Sequence, residues 1–243
     1  MELLSIGFVL QLALQLIAIV HCAKQGRARF WIWIIIIGGL LGTLAYFLVE
    51  GLPDWREVQR SFKGPARRKR IAALRAIVRD NPSAGNYEEL GALLVEQKKW
   101  SEARDAFDRS IAARADSLDT FYWRGVSAFE MGDYAAAIPD YQHVVKIDPK
   151  YDYSRAQCLL ARALARTGRT DEAMAAFDRL VASSSASESQ VSAAEFYAAN
   201  GHEASARELV ESVLARRATM PSYQRRRDRA WLSMAKKLGR KLG

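Results

Sequence analysis

Residues 84–117 read AGNYEELGALLVEQKKWSEARDAFDRSIAARADS, and residues 118–151 read LDTFYWRGVSAFEMGDYAAAIPDYQHVVKIDPKY. At an offset of 34, Gly91 falls on Gly125, Trp100 on Tyr134, and the pair Ala103/Phe107 on Ala137/Tyr141. The alanine–x3–aromatic pair returns as Ala173/Phe177 and ends as Ala206/Val210, the alanines stepping by 34, 36 and 33 residues. A turn position recurs with it, at Lys98, Gly132, Gly168 and Gly201. A fixed period of this size marks a solenoid of helix–turn–helix units, each unable to bury its apolar face alone. The small residues let two helices approach closely, and the aromatic one turn later fills the space between units. Four units follow: 84–117, 118–151, 152–186 and 187–218.

The pattern resembles the tetratricopeptide repeat, W-x2-L-G-x2-Y…A-x3-F…P. Tyr87-x2-Leu90-Gly91-x2-Leu94 and Phe121-x2-Arg124-Gly125-x2-Ala128 carry the first half, the alanine–aromatic pairs the second, and Pro149 closes the second unit. The resemblance implies an all-α solenoid whose concave groove is lined by the first helix of each pair. By register the groove residues are Glu88, Val95 and Glu96, then Asp119, Tyr122, Val126 and Phe129, then Arg155, Cys158, Arg162 and Arg166. The first two helices supply acidic and aromatic groups and the third supplies cations. Such a groove suits a protein or peptide segment with charge polarity, anchored on Tyr122 and Phe129. The Lys/Asn set by which chaperone-binding relatives clamp a terminal carboxylate is absent.

The flanks read as caps. Residues 66–81 form one amphipathic helix with Ile71, Leu74 and either Ile77 or Val78 on its apolar side, started near Pro65 and stopped by Pro82. Residues 219–243 form a basic C-terminal capping helix, with Trp231, Met234 or Ala235, Leu238 and Leu242 on one stripe. The segment ASSSASES at 182–189 reads as a flexible interruption or long turn.

Upstream the composition changes. Residues 3–22 and 30–49 each contain no charge over 20 residues, the length of helix that covers a hydrocarbon core of roughly 30 Å. The short linker AKQGRAR makes them a two-span transmembrane hairpin, domain 1–51, followed by a basic juxtamembrane stretch at 52–83. Met1-Glu2 gives no positive n-region and no small residue precedes Cys22, so the first span is not read as a cleaved signal. Val20-His21, Lys24/Arg27/Arg29, Trp31, Trp33, Gly42, Tyr46 and Glu50-Gly51 resemble the N-terminal membrane domain of cardiolipin synthases and related phospholipase-D-type proteins. Gly39 stands where that family is expected to have proline, and the paired H-x-K-x4-D motifs of its catalytic domains are missing around His143 and His202. Gly38-x3-Gly42 offers a flat face for close helix contact, within the hairpin or in a homo-oligomer. Gln11 and Gln15 place two amides on one face, where hydrocarbon would oblige them to find partners. Seven basic residues from Arg56 to Arg70 outweigh three in the turn, which puts both termini inside a bacterial-type inner membrane, with the repeats cytoplasmic.

The formal net charge of +9 is unevenly spread: +6 over 51–80, −7 over 81–215 and +9 over 216–243. Lys63, Arg67, Arg68, Lys69 and Arg70 are the candidate contacts to anionic lipid, and lipid is the nearer partner than nucleic acid. Two distant cysteines and three scattered histidines give no metal spacing, no nucleophile–base pair and no cofactor motif. The sequence therefore predicts a non-catalytic, membrane-anchored adaptor without cofactors. The alternative, an accessory subunit of phospholipid synthesis, rests on the hairpin resemblance alone.

Overall fold

The computed structural model describes residues 11–20, 22, 30–46 and 64–243, with side chains from 67 onward in the last segment. These fall into two compact units, residues 1–69 and 70–243. All the regular structure among the described residues is helical.

In the first unit, residues 11–20 are helical and α1 covers Phe30–Tyr46. The expected span over 30–49 does not run straight. Gly39 sits at φ 55°, ψ −130°, a conformation that breaks an α-helix and that side chains resist. The chain folds back there, so that the Trp31 and Tyr46 rings meet edge-on with centroids 5.6 Å apart. In an unbroken helix those two residues would stand about 22 Å apart along the axis. A Cβ at Gly42 would run into the Ile34 carbonyl, so this glycine faces its own segment, while Gly38 faces open space. Near the break two side chains bond to backbone carbonyls. Gln15 Nε2 donates to the Ile35 carbonyl at 2.9 Å, and Thr43 Oγ1 donates to the Gly39 carbonyl at 2.8 Å. Ala18, Cys22, Trp31, Ile35 and Tyr46 form the small core of this unit.

No helix among the described residues is long and apolar enough to cross a membrane. The two-span reading therefore gains no support from the described residues, and the kink at Gly39 interrupts α1 within the second expected span. Residues 3–10, His21, the basic turn, 47–51 and Lys63 lie outside the described residues.

The second unit begins within α2 (Gly64–Asp80), followed by four antiparallel pairs: α3 (Ala84–Glu96) with α4 (Trp100–Ala112), α5 (Leu118–Glu130) with α6 (Tyr134–Ile147), α7 (Tyr151–Arg166) with α8 (Thr170–Ser183), and α9 (Ser187–Ala199) with α10 (Glu203–Arg216). A short α11 (Ser222–Arg227) leads into α12 (Arg229–Leu242). The four turn positions, Lys98, Gly132, Gly168 and Gly201, all adopt positive φ. In each turn the next N–H reaches back five residues: Lys99 to the Leu94 carbonyl, Asp133 to Ala128, Arg169 to Leu164 and His202 to Tyr197. This is the 6→1 bond of a helix C-cap, and it sets the sharp angle between paired helices.

Ala103, Ala137, Ala173 and Ala206 are fully buried, as are Phe107, Tyr141, Phe177 and Val210 beside them. A Cβ at Gly91 would stand 2.6 Å from the Phe107 ring, and one at Gly125 would stand 3.0 Å from the Tyr141 ring. In the first two repeats the glycine of the first helix is therefore the seat of the aromatic from its own return helix, and Ala161 and Ala194 hold the equivalent positions in the third and fourth. Ile71, Leu74 and Val78 of α2 pack on the first pair, and Ile77 points outward. Arg124 bridges repeats: Nε reaches Asp140 Oδ2 at 2.9 Å, Nη2 reaches Oδ1 at 2.5 Å, and Nη1 reaches Asp108 at 2.9 Å.

Two flank readings change. The serine-rich stretch is no long turn: only Ser184–Ala186 separates α8 from α9, and Ser187, Ser189 and Ser192 are buried in α9. Serine suits that position because it is small and finds partners, with Ser187 Oγ donating to Asp228 Oδ2 at 2.9 Å. The C-terminal cap is also two helices, interrupted at Asp228, whose buried carboxylate is held by Ser187 and Arg227. Helix α12 packs on α9 and α10 through Leu232 and Ala235.

A candidate partner-binding face on the repeats

The first helices α3, α5, α7 and α9 lie side by side, so a register position recurs along the face. Counting back from the capped turns, Asp119, Arg155 and Glu188 share one position, and Val126, Arg162 and Glu195 share another. On α7, Arg155, Arg162 and Arg166 fall at i, i+7 and i+11. That spacing holds three guanidinium groups within about 20° of one stripe.

Around Arg162 the face is built closely. Its guanidinium lies over the Phe129 ring of α5 at 5.1 Å and near the Trp231 ring of α12 at 6.0 Å. Glu188 of α9 stands 3.7 Å from Arg162 and 3.6 Å from Arg155. Both distances exceed hydrogen-bond reach, so these are ion pairs without directional bonds. Arg155 also lies 3.9 Å from Asp152, and Arg166 covers the Tyr134 ring at 5.8 Å. A cleft of about 720 Å³ opens beside this group, with Lys150, Tyr153, Arg155, Glu188, Arg216 and Trp231 in its walls. At its mouth Asp152, Tyr153 and Ser154 form a left-handed turn (φ 48°, 55° and 67°), which leaves Tyr153 fully in solvent. Three consecutive non-glycine residues in that region are strained by roughly 1–2 kcal/mol each. Asp152 is one of the groups that helps hold them, accepting from the Tyr122 hydroxyl at 2.8 Å.

The sequence-assigned residues divide. Arg162 lies over Phe129 and shares Glu188 with Arg155, while Val126 is half-buried and Arg166 is exposed. Glu88 accepts from Ser117 Oγ at 2.9 Å, Asp119 accepts from the Tyr151 hydroxyl, and Glu96 is exposed at the other end. Tyr122 is placed differently: it is 1% exposed, inside the repeat core. Its register equivalents Cys158 and Val191 are buried too, which shows that this position faces inward. Burial raises the Tyr122 phenol well above its ordinary range, and burial likewise pushes the Cys158 thiol up to about 11. Neither side chain is presented to a partner.

Glu188 and Trp231 belong to the face although sequence reading assigned them to a turn and a cap. For Glu188 a signal existed, since the 33-residue step between Gly168 and Gly201 carries Arg155 onto it. For Trp231 none did, because α12 follows α10 without the repeat's spacing. Among the described residues, no group of three His, Cys, Asp or Glu side chains is placed to hold a metal ion.

Helix pairs with a capped turn, a glycine seat and a buried alanine–aromatic pair define a tetratricopeptide-repeat solenoid. Tetratricopeptide repeat family models match residues 88–152 and 128–193, so the chain carries these repeats. Neither model reaches the N-terminal unit, and the resemblance to cardiolipin synthases gains no support from them. Among solved structures, YrrB, "a TPR protein with an unusual peptide-binding site", is 22% identical, with a TM-score of 0.56 over 62% of this chain and 78% of its own. MamA residues 41 to the end, from Desulfovibrio magneticus RS-1, is 18% identical, with a TM-score of 0.60 over 69% and 96%. A second MamA structure is 17% identical, with a TM-score of 0.57 over 68% and 94%. At these identities the likeness establishes the fold.

Proposed function

We propose that this chain is a non-catalytic adaptor that holds a protein or peptide segment on the first-helix face of its repeats. The observation that carries this is the cluster of Phe129, Arg162, Glu188 and Trp231, where aromatic and charged groups from four helices converge beside an open cleft. Half-buried aromatics and arginines such as Phe129, Trp231 and Arg162 are the kinds of side chain that dominate binding energy at protein interfaces. The peptide-binding site ascribed to YrrB supports the reading. The test is a photoreactive residue at Arg166, on the face, with a second at Glu211, exposed on the return helix α10, as control. A discrete protein adduct at position 166 alone is expected. Equal labelling at both positions, or none at either, refutes the proposal.

A second reading concerns the first unit. Leu16, Ile17, Trp33, Ile36, Ile37 and Leu41 are all more than half exposed, in a unit where Gln15 and Thr43 bond to backbone carbonyls near the break. An apolar surface of this kind supports association with a bilayer, entered from one side by a segment that turns back at Gly39. Arg68 and Lys69 would add about 1 kcal/mol each on anionic lipid, whereas Arg70 is engaged by Glu89. Flotation with vesicles of neutral and of anionic phospholipid tests both parts. The expected result is flotation with both, retained at high salt, and strengthened by anionic lipid only at low salt. A chain that stays at the bottom of the gradient sinks this reading.

A further inference from the structure

We propose that the segment bound on this face is acidic, its carboxylate held jointly by Arg155 and Arg162 while an adjacent apolar side chain lies against Phe129 and Trp231. This rests on the partner-binding reading above and adds the chemistry of the partner. Two guanidinium groups carry ten N–H donors between them, and Glu188 meets both only at 3.6 and 3.7 Å. Asp152, the other nearby acid, accepts the Tyr122 hydroxyl and lies 3.9 Å from Arg155. The donors thus greatly outnumber the acceptor sites offered to them. Cation–π contacts to Phe129 at 5.1 Å and Trp231 at 6.0 Å help hold the Arg162 guanidinium on this face, and a guanidinium is the group that takes a carboxylate with two parallel bonds. Arg166, exposed one turn further along the same stripe, extends the positive potential.

The same aromatics and arginines are groups that also hold single-stranded nucleic acid. The acids decide against it. Asp119, Asp152, Glu188 and Glu96 interrupt the face, and a backbone with one charge per nucleotide would have to pass them. A peptide places its carboxylates singly and avoids that repulsion.

The experiment uses the full chain, immobilised, and two decapeptide pools randomised except for a central Glu-Glu-Leu in one and Lys-Lys-Leu in the other. Retained peptides are counted by mass spectrometry. The acidic pool is expected to be retained at least tenfold over the lysine pool, and Arg155→Gln with Arg162→Gln together should erase that preference with helical circular dichroism unchanged. Trp231→Ala should lower retention of the acidic pool several-fold. Equal retention of both pools, unaffected by the arginine substitutions, overturns the acidic partner and leaves the groove itself standing. Retention of neither pool overturns both. A ten-nucleotide oligothymidylate held more tightly than the acidic pool overturns the peptide assignment.

Discussion

Replacing Tyr141 with phenylalanine should make the protein more stable. The Tyr141 ring fills the seat left by Gly125 and is fully buried, yet its hydroxyl has no hydrogen-bond partner. The corresponding positions in the first and third repeats are Phe107 and Phe177, so the chain itself shows that the ring suffices. A buried, unsatisfied hydroxyl costs about 1–3 kcal/mol. Removing it leaves a void of about 10 Å³, worth roughly 0.2 kcal/mol at the usual cavity coefficient. The net gain is about 1–3 kcal/mol, or an upward shift in Tm of roughly 2–12 °C for a domain of this size. A second readout comes from pH. Burial raises the Tyr141 phenol far above its ordinary value, so the folded state keeps the proton after the unfolded state has released it. Stability is then fully present below about pH 10 and falls by about 1.4 kcal/mol per pH unit above it for each such phenol. Tyr122 is raised in the same direction and adds a similar slope. Urea unfolding of wild type and Tyr141→Phe at pH 8 and pH 11 should show the variant ahead at both, and further ahead at pH 11. A variant less stable at pH 8, or a gap that does not widen with pH, would refute the reasoning.

Lys98 holds a left-handed turn that glycine holds in the other three repeats, so Lys98→Gly should stabilise by about 0.5–1 kcal/mol in thermal melts, and a loss would show the turn unstrained. Arg124→Gln strands the almost fully buried Asp140 carboxylate, whose pKa burial already pushes up, and should cost about 3 kcal/mol by urea denaturation; a loss under 1 kcal/mol contradicts the pairing. Gly91→Ala drives a methyl into the buried Phe107 ring and should destabilise by about 1–3 kcal/mol, whereas Gly85→Ala, with open space around it, should be neutral or better in the same assay.

The repeat domain was legible because its physics is periodic. An offset of 34 carried the glycine seat, the return-helix alanine, the aromatic and the turn from the first repeat to the second, and all four take the places that spacing implies. Side-chain direction within the first helix was less legible. Glu88 and Tyr122 share a register position, and reading that position as exposed suits the glutamate and misplaces the tyrosine, which turns inward to Asp152. Serine runs misled in the opposite sense. Composition marks them as loop, but Ser187 is small enough to be buried and polar enough to satisfy Asp228 across the helix.

The N-terminal unit shows where composition runs out. An uncharged stretch of 20 residues fixes solubility in an apolar medium, and says nothing about whether the backbone runs straight through it. Gly39 takes a conformation that only glycine reaches without strain, and one such residue reverses the segment. The polar residues that composition treats as flaws in a span are the ones that make the reversal tolerable, since Gln15 and Thr43 take up carbonyls near the break. The consequence is directional. If Gln15 is there to cap the Ile35 carbonyl, Gln15→Leu should raise the apolar content of the segment and yet destabilise the unit. If the segment were an uninterrupted span, the same substitution would only improve its partition into lipid.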